Sequence, residues 1–341
     1  MIQRFRFGSP LPTDSVVQEL PVSEGAVPFL TAEADGGWSY AMAPDAVVYG
    51  LGEMPRGINK RGWHYVANNT DESHHGEDKR SYYGAHNFLL IDGGARQEDF
   101  GLFIDFPGKV SYDIGYTAYG TLRFSTETPD YDLYVLTGSG PNDIARQFRQ
   151  LIGRSYIPPK WAFGLAQSRW GYKTAEDVRE VARQYRDHDL PLDMVVMDID
   201  YMQDYADFTV NKERFPDLAA LAAEMKAQGI RLVPIIDAGV RIDPESPVCA
   251  EGLEKGYFCT KADGIPFVAA VWPGKAYFAD FLRPEVREWF GRQYKLLTDC
   301  GIEGFWNDMN EPALFYSPDR LRAFLDSMAD LRQKDNIEQL E

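Results

Sequence analysis

From about residue 160 the sequence alternates apolar runs with helix-patterned segments, and this alternation limits what the chain can fold into more than any other feature. Strand, helix, strand repeats place helices against parallel strands, which leaves a barrel or a doubly wound sheet. The runs "WAFGLAQS", "DMVVMDID", "RLVPIIDAG" and "IEGFWNDMN" are the four expected strands. Between them lie "TAEDVREVARQYRDHD", opened by Thr174 as N-cap with Asp177 placed for a capping box, and "DLAALAAEMKAQG", closed by Gly229. After a long loop follows "PEVREWFGRQYKLLTDCG", and "PDRLRAFLDSMADLRQK" begins what comes after the fourth strand. A doubly wound sheet would carry a Gly-rich phosphate turn after its first strand, and "SRWGYKT" is not one. Four βα units therefore point to half of a (β/α)8 TIM barrel.

Residues 1–153 read differently. Short alternating or aromatic-rich runs such as "GWSYAMA", "HNFLLIDGG" and "FGLFIDFPGKVSYDIG" are closed by Gly, Asp and Pro, the pattern of antiparallel strands in a β-sandwich. The segment "GPNDIARQFRQLIG" is a closing helix, with Asn142 or Asp143 able to cap it and Ile144, Phe148, Leu151 and Ile152 on one face. The Pro pair in "RSYIPPKWAFG" marks a boundary. The expected organisation is an N-terminal β-sandwich domain over 1–153 and a partial barrel over 154–341.

Composition narrows the partners. A formal net charge of -17 leaves no basic stripe for a nucleic-acid backbone. No run of about 18 apolar residues occurs, so no membrane span is expected. The start lacks a signal-peptide apolar region, and Cys249, Cys259 and Cys300 are too few and too scattered for a disulfide framework or zinc cluster, so the expected location is cytoplasmic. "TDESHHGED" crowds His74, His75 and four acids together but lacks a ligand pattern, and no cofactor or metal is expected. Oligomeric state is not legible.

Active residues of TIM barrels stand at the C-terminal ends of the strands. Here those ends carry Ser168, Arg169 and Trp170, then Asp198 and Asp200, then Asp237, then Asp308. Side-chain alternation puts Trp306 on the same side as Asp308 and Asn307 on the other. A carboxylate at Asp308 suits a nucleophile toward an anomeric carbon, a general base, a metal ligand or a capping group, and residue type alone does not choose.

The motifs "WNDMNEP", "MDIDYM", "SRWGY", "PIIDAG" and "VWPG", with "YGLGE" and "YGAHNF" in the β-domain, closely resemble family 31 of the glycoside hydrolases. The resemblance implies a galactose-mutarotase-like sandwich followed by the barrel, and a retaining α-glucosidase acting on terminal α-linked glucose of oligosaccharides. It maps the nucleophile onto Asp308 and a sugar-hydroxyl acceptor onto Asp198. Ile199 and Ile235 would be apolar walls and Trp272 and Trp306 aromatic ones, with Asp71 reaching over the pocket from a β-domain loop. Trp170 stands where many members carry Tyr, which implies an influence on linkage.

Retaining hydrolysis also needs an acid/base, which this family carries beyond a G-D-N-type segment, followed by substrate-binding Arg and His residues. None of these segments occurs in the sequence. The expectation is an N-terminal portion of such an enzyme, inactive by itself; the alternative is a non-catalytic carbohydrate-binding or scaffold protein.

Overall fold

The computed structural model describes residues 1–333, with side chains of the final helix described as far as residue 326. It divides into two units, Met1–Tyr156 and Ile157–Glu341.

In the first unit, alternating inward apolar residues build two five-stranded antiparallel sheets. One runs in spatial order Ile2–Phe7, Tyr131–Thr137, Phe100–Asp105, Ala85–Asp92 and Val47–Gly52; the other runs Thr31–Ala32, Trp38–Ala41, Thr121–Thr126, Val110–Ile114 and Trp63–Ala67. Within Val110–Ile114 the buried residues are Val110, Tyr112 and Ile114, the period-2 signature of a strand with one face on the core. Their partners include Tyr65, Leu89, Leu102, Leu122 and Leu133, all fully buried. In "YGLGE", Gly50 adopts φ 121° where the ladder to Ala85–Asp92 bulges, and a Cβ there would collide with the Phe88 carbonyl.

The closing helix spans Pro141–Leu151, burying Ile144 and Leu151 and stacking Phe148 on Phe88 at 3.8 Å. Its cap differs from the sequence reading. Gly140 is the N-cap and Pro141 the first helical residue, so Asn142 and Asp143 lie inside the first turn, where Asp143 accepts from the Ser139 N–H at 3.1 Å. In the strand Tyr131–Thr137, Asp132 is 5% exposed and holds Arg4 at 2.7 Å and Arg6 at 2.9 Å.

In the second unit, four parallel strands stand in the order Ala166–Arg169, Met194–Met197, Arg231–Ile236 and Trp306–Asn307. Pairing runs Ala166 with Met194, Met194 with Arg231 and Ile235 with Trp306. The first strand begins later than "WAFGLAQS" implies, because Lys160–Phe163 turns as a 3-10 helix. The fourth is two residues long, because the chain enters a left-handed conformation at Met309, φ 57°.

The helix Ala175–Asp187 opens on the expected capping box, with the Asp177 N–H donating to Thr174 Oγ1 at 3.2 Å and the Thr174 N–H to Asp177 Oδ2 at 2.8 Å. Leu218–Ala227 is followed by Gly229 at φ 83°, the position that favours glycine after a helix. Pro284–Gln293 buries Val286, Trp289 and Phe290 against the strands. The last helix, Pro318–Gln333, lies after the fourth strand; Lys334 falls outside the described residues.

The loop after the third strand is not structureless. It folds as a small antiparallel sheet of Gly239–Arg241, Gly274–Phe278 and Val268–Val271, with a helix at Pro247–Glu254. Its hairpin turns through Trp272 and Pro273 between the paired residues Val271 and Gly274. Among the described residues, no helix is long and apolar enough to cross a membrane.

Candidate active site

Each parallel strand delivers its polar residues at its C-terminal end. Met194–Met197 is buried, and the next residue, Asp198, accepts from the Ile199 N–H at 2.8 Å as cap of the turn Ile199–Tyr201. Arg231–Ile236 ends at Asp237, which is 3% exposed. The Asp308 N–H donates to the Ile236 carbonyl at 3.1 Å, extending the pairing of the fourth strand by one residue and setting Asp308 beside Asp237.

A cavity of about 310 Å³ opens here, lined by Asp237, Asp308, Asn307 and Asn310 with Phe290 and Tyr294. Tyr294 Oη donates to Asn307 Oδ1 at 2.6 Å. The alternation expected of a longer strand does not carry through: Asn307 lines the cavity with Asp308, while Trp306 packs partly buried against the barrel core. A two-residue strand followed by a left-handed turn does not sustain the period of 2.

The acids feel one another. Burial, then the charges of Asp308 and Asp198, push the Asp237 carboxyl up to about 7. Burial, opposed by the Ile199 N–H, combines with Asp308 and Asp200 to raise Asp198. Behind them lies Asp207, which the sequence reading missed. Its Oδ1 accepts the Asp237 N–H at 2.9 Å, and burial, with Asp237 beside it, holds its carboxyl well above the ordinary range. Nothing in "DYADF" marks Asp207, because its burial comes from the loop's path. Asp200 is buried and faces Arg214 at 3.7 Å, the placement of a structural acid.

The aromatic residues gather separately. Trp170, 58% exposed, stands 5.3 Å from the ring of Trp272, and Phe315 meets Trp272 edge-on at 4.9 Å. Phe315 is held there by its N–H to the Ala270 carbonyl at 3.0 Å, which ties the segment after the fourth strand to the inserted sheet. Sequence reading found both tryptophans but not Phe315; the run "FVAAVWPGKAYFAD" held the signal for the hairpin that presents Trp272.

Two expected wall residues are placed otherwise. Ile199 and Ile235 are each 1% exposed and belong to the barrel core, so they open almost no surface. Burying these side chains beneath the strand ends removes more apolar area from water than a wall position would. Asp71 lies exposed in a loop of the first unit, accepting from Tyr83 Oη at 3.0 Å. In the same loop His75 meets the rings of Tyr82 and Tyr83 edge-on. Among the described residues, no three His, Cys, Asp or Glu side chains gather closely enough to hold a metal ion.

A β-sandwich followed by parallel βα units with acids and exposed aromatic rings at the strand ends defines a TIM-barrel protein of the kind whose active groups sit at the barrel mouth. Residues 155–335 match the "Glycosyl hydrolases family 31 TIM-barrel domain", and 27–113 match the "Glycosyl hydrolase 31 N-terminal galactose mutarotase-like domain". The chain belongs to glycoside hydrolase family 31. It is 42% identical over 269 residues to Alpha-glucosidase 2 of Bacillus thermoamyloliquefaciens, covering 78% of this chain and 34% of that protein. Lysosomal alpha-glucosidase of Bos taurus is 31% identical over 245 residues, covering 70% of this chain and 26% of that protein. A Flavobacterium johnsoniae GH31 dextranase complexed with glucose shares the fold, with TM-score 0.74 and 24% identity over 87% of this chain and 36% of its own. The chain thus spans between about a quarter and about a third of the length of these relatives.

Proposed function

We propose that this chain carries the nucleophile half of a retaining α-glucosidase that removes terminal α-linked glucose from oligosaccharides. The observation that carries the reading is Asp308, which stands at the end of a parallel strand, half-buried, lining an open cavity inside the family's W-x-D-M-N-E motif. In this reading the Asp308 carboxylate attacks the anomeric carbon as the bond from that carbon to the glycosidic oxygen breaks. The departing oxygen takes a proton from a second carboxyl about 5 to 5.5 Å away, and water later releases the glycosyl-enzyme with retention. In this family that acid belongs to a later strand, outside these residues.

Asp198 accepts hydrogen bonds from ring hydroxyls, an assignment supported by its place at the next strand end but one. Trp170 and Trp272 form an exposed aromatic wall for the sugar, and Trp306 supports the nucleophile strand.

The test uses the whole native protein. Asp308→Asn should lower kcat on maltose by a factor on the order of 10⁴ or more while leaving sugar binding largely intact, since the amide keeps the shape but loses the attacking anion. A fluorosugar that traps the covalent intermediate should label the peptide bearing Asp308. Wild-type turnover by Asp308→Asn would overturn the assignment, and would favour a binding role for this face.

A further inference from the structure

The loop that follows the second parallel strand is braced from within. After the turn Ile199–Tyr201, capped by Asp198, the chain closes on itself where the Asn211 N–H donates to the Tyr201 carbonyl at 2.8 Å. Inside the loop the Gln203 N–H donates to Thr209 Oγ1 at 2.9 Å, and Thr209 Oγ1 to the Ala206 carbonyl at 2.6 Å. Asp204, Tyr205 and Phe208 adopt positive φ there, at 50°, 60° and 59°. Such a backbone persists only where its surroundings hold it.

Two side chains hold the loop to the third strand. Tyr201 Oη donates to the Ile235 carbonyl at 2.8 Å, and Asp207 Oδ1 accepts the Asp237 N–H at 2.9 Å. Between those two points the Ile236 carbonyl takes the Asp308 N–H at 3.1 Å. Three successive residues of the third strand therefore fasten the loop that carries Asp198 on one side and the strand end that carries Asp308 on the other. Tyr201 is fully buried, so it touches no sugar. Its ring could be replaced by that of Phe as core filling, but its hydroxyl has a directed role on the Ile235 carbonyl. Burial, then Asp207 and Asp237, hold the phenol well above its usual range, so the O–H is a donor at neutral pH.

We propose that Tyr201 is a positioning residue for the reaction: together with Asp207 it fastens the loop to the third strand and so sets the Asp198 carboxylate relative to Asp308 before a sugar arrives. The inference rests on the preceding reading of Asp308 as nucleophile and Asp198 as hydroxyl acceptor. A group fixed in advance need not be ordered on the way to the transition state, and a misplacement of about 1 Å can lower the rate by about 10²-fold.

A double-mutant cycle in the whole native protein, read as kcat/KM on maltose, tests this. Tyr201→Phe keeps the ring and removes only the tie. By itself it should lower kcat/KM by about 10-fold; in an Asp198→Ala background it should lower it by less than about twofold, because no carboxylate is left to place. The same loss in both backgrounds would overturn the proposal, since a hydroxyl that only supports the core acts whether or not Asp198 is present. An unchanged kcat/KM in Tyr201→Phe would overturn it as well. If Tyr201→Phe does not fold, Asp207→Ala, which cuts the second tie, goes through the same cycle under the same criterion. The single variants keep the two readings apart. Turnover retained by Asp308→Asn or by Asp198→Ala removes the role assigned to that residue, whereas additive losses with both single variants impaired remove the role of Tyr201 alone.

Discussion

The indole rings of Trp170 and Trp272 stand 5.3 Å apart at 52°, joining the end of the first parallel strand to the tip of a hairpin inserted about a hundred residues later. Phe315 closes the other side of Trp272. Trp170 is the more exposed of the two tryptophans, at 58% against 36%, so on the proposed reading it offers a sugar the larger open face.

Trp170→Tyr in the whole enzyme should therefore shift the ratio of kcat/KM for isomaltose over maltose, lowering it by several fold, because the smaller ring reshapes the wall while keeping an aromatic face. Steady-state kinetics on the two disaccharides decides this. An unchanged ratio would mean that Trp170 only packs the strand end.

Asp198→Ala removes a half-buried acceptor that a sugar hydroxyl would use, and kcat/KM should fall by about 10- to 150-fold, the range for a hydrogen bond to a charged group. Asp198→Asn keeps one acceptor oxygen and should lose less. Equal losses in the two variants would argue that the charge of Asp198 is what matters, since Asn also caps the turn at Ile199.

In the first unit, Asp132 is buried and bonded by two guanidinium groups. Burial pushes its carboxyl up, but the hydrogen bonds from Arg6 and Arg4 outweigh this and hold it below the ordinary range. A carboxyl depressed in the folded state contributes stability above its unfolded value of about 3.9, and that contribution is lost as pH falls through the folded value. Asp132→Ala should destabilise by about 1.5 to 3 kcal/mol at neutral pH, because half-buried Arg4 loses its carboxylate partner and keeps only the Leu20 carbonyl. Urea unfolding at neutral and acid pH should show the difference narrowing in acid.

Thr174→Ala removes one half of the capping box, leaving the Asp177 N–H without its side-chain acceptor. The expected loss is about 1 kcal/mol, read from the unfolding midpoint. Thr174→Ser should restore most of it.

The 341 residues on their own should self-associate and show no useful turnover. Phe163, 73% exposed, and Leu165, 44% exposed, lead into the outer strand Ala166–Arg169, whose only strand partner among the described residues is Met194–Met197. Without the general acid that the proposed reading places on a later strand, turnover should fall by about 10²- to 10⁴-fold. Light scattering that finds a monomer, or rates matching a complete relative, would count against this.

The sequence by itself determined the elements and most of the chemistry. Alternation with a period of 2 in the first half, capped helices between apolar runs in the second, and an acid after each of three strands are local patterns, and local patterns are legible because turn residues, caps and side-chain parity act over a few positions. Thr174 with Asp177 and Gly229 could be read for that reason. Other features belonged to the tertiary structure. Asp207 becomes part of the acidic group only because a strained loop carries it under Asp237, and Phe315 joins the tryptophans only through a hydrogen bond to Ala270. Ile199 and Ile235 sit in the core because helix packing closes over them, and the fourth strand stops at two residues because Met309 turns away. Burial and mutual charge are properties of groups distant in sequence, so the upward shift of the Asp237 carboxyl is set by the company it keeps in space.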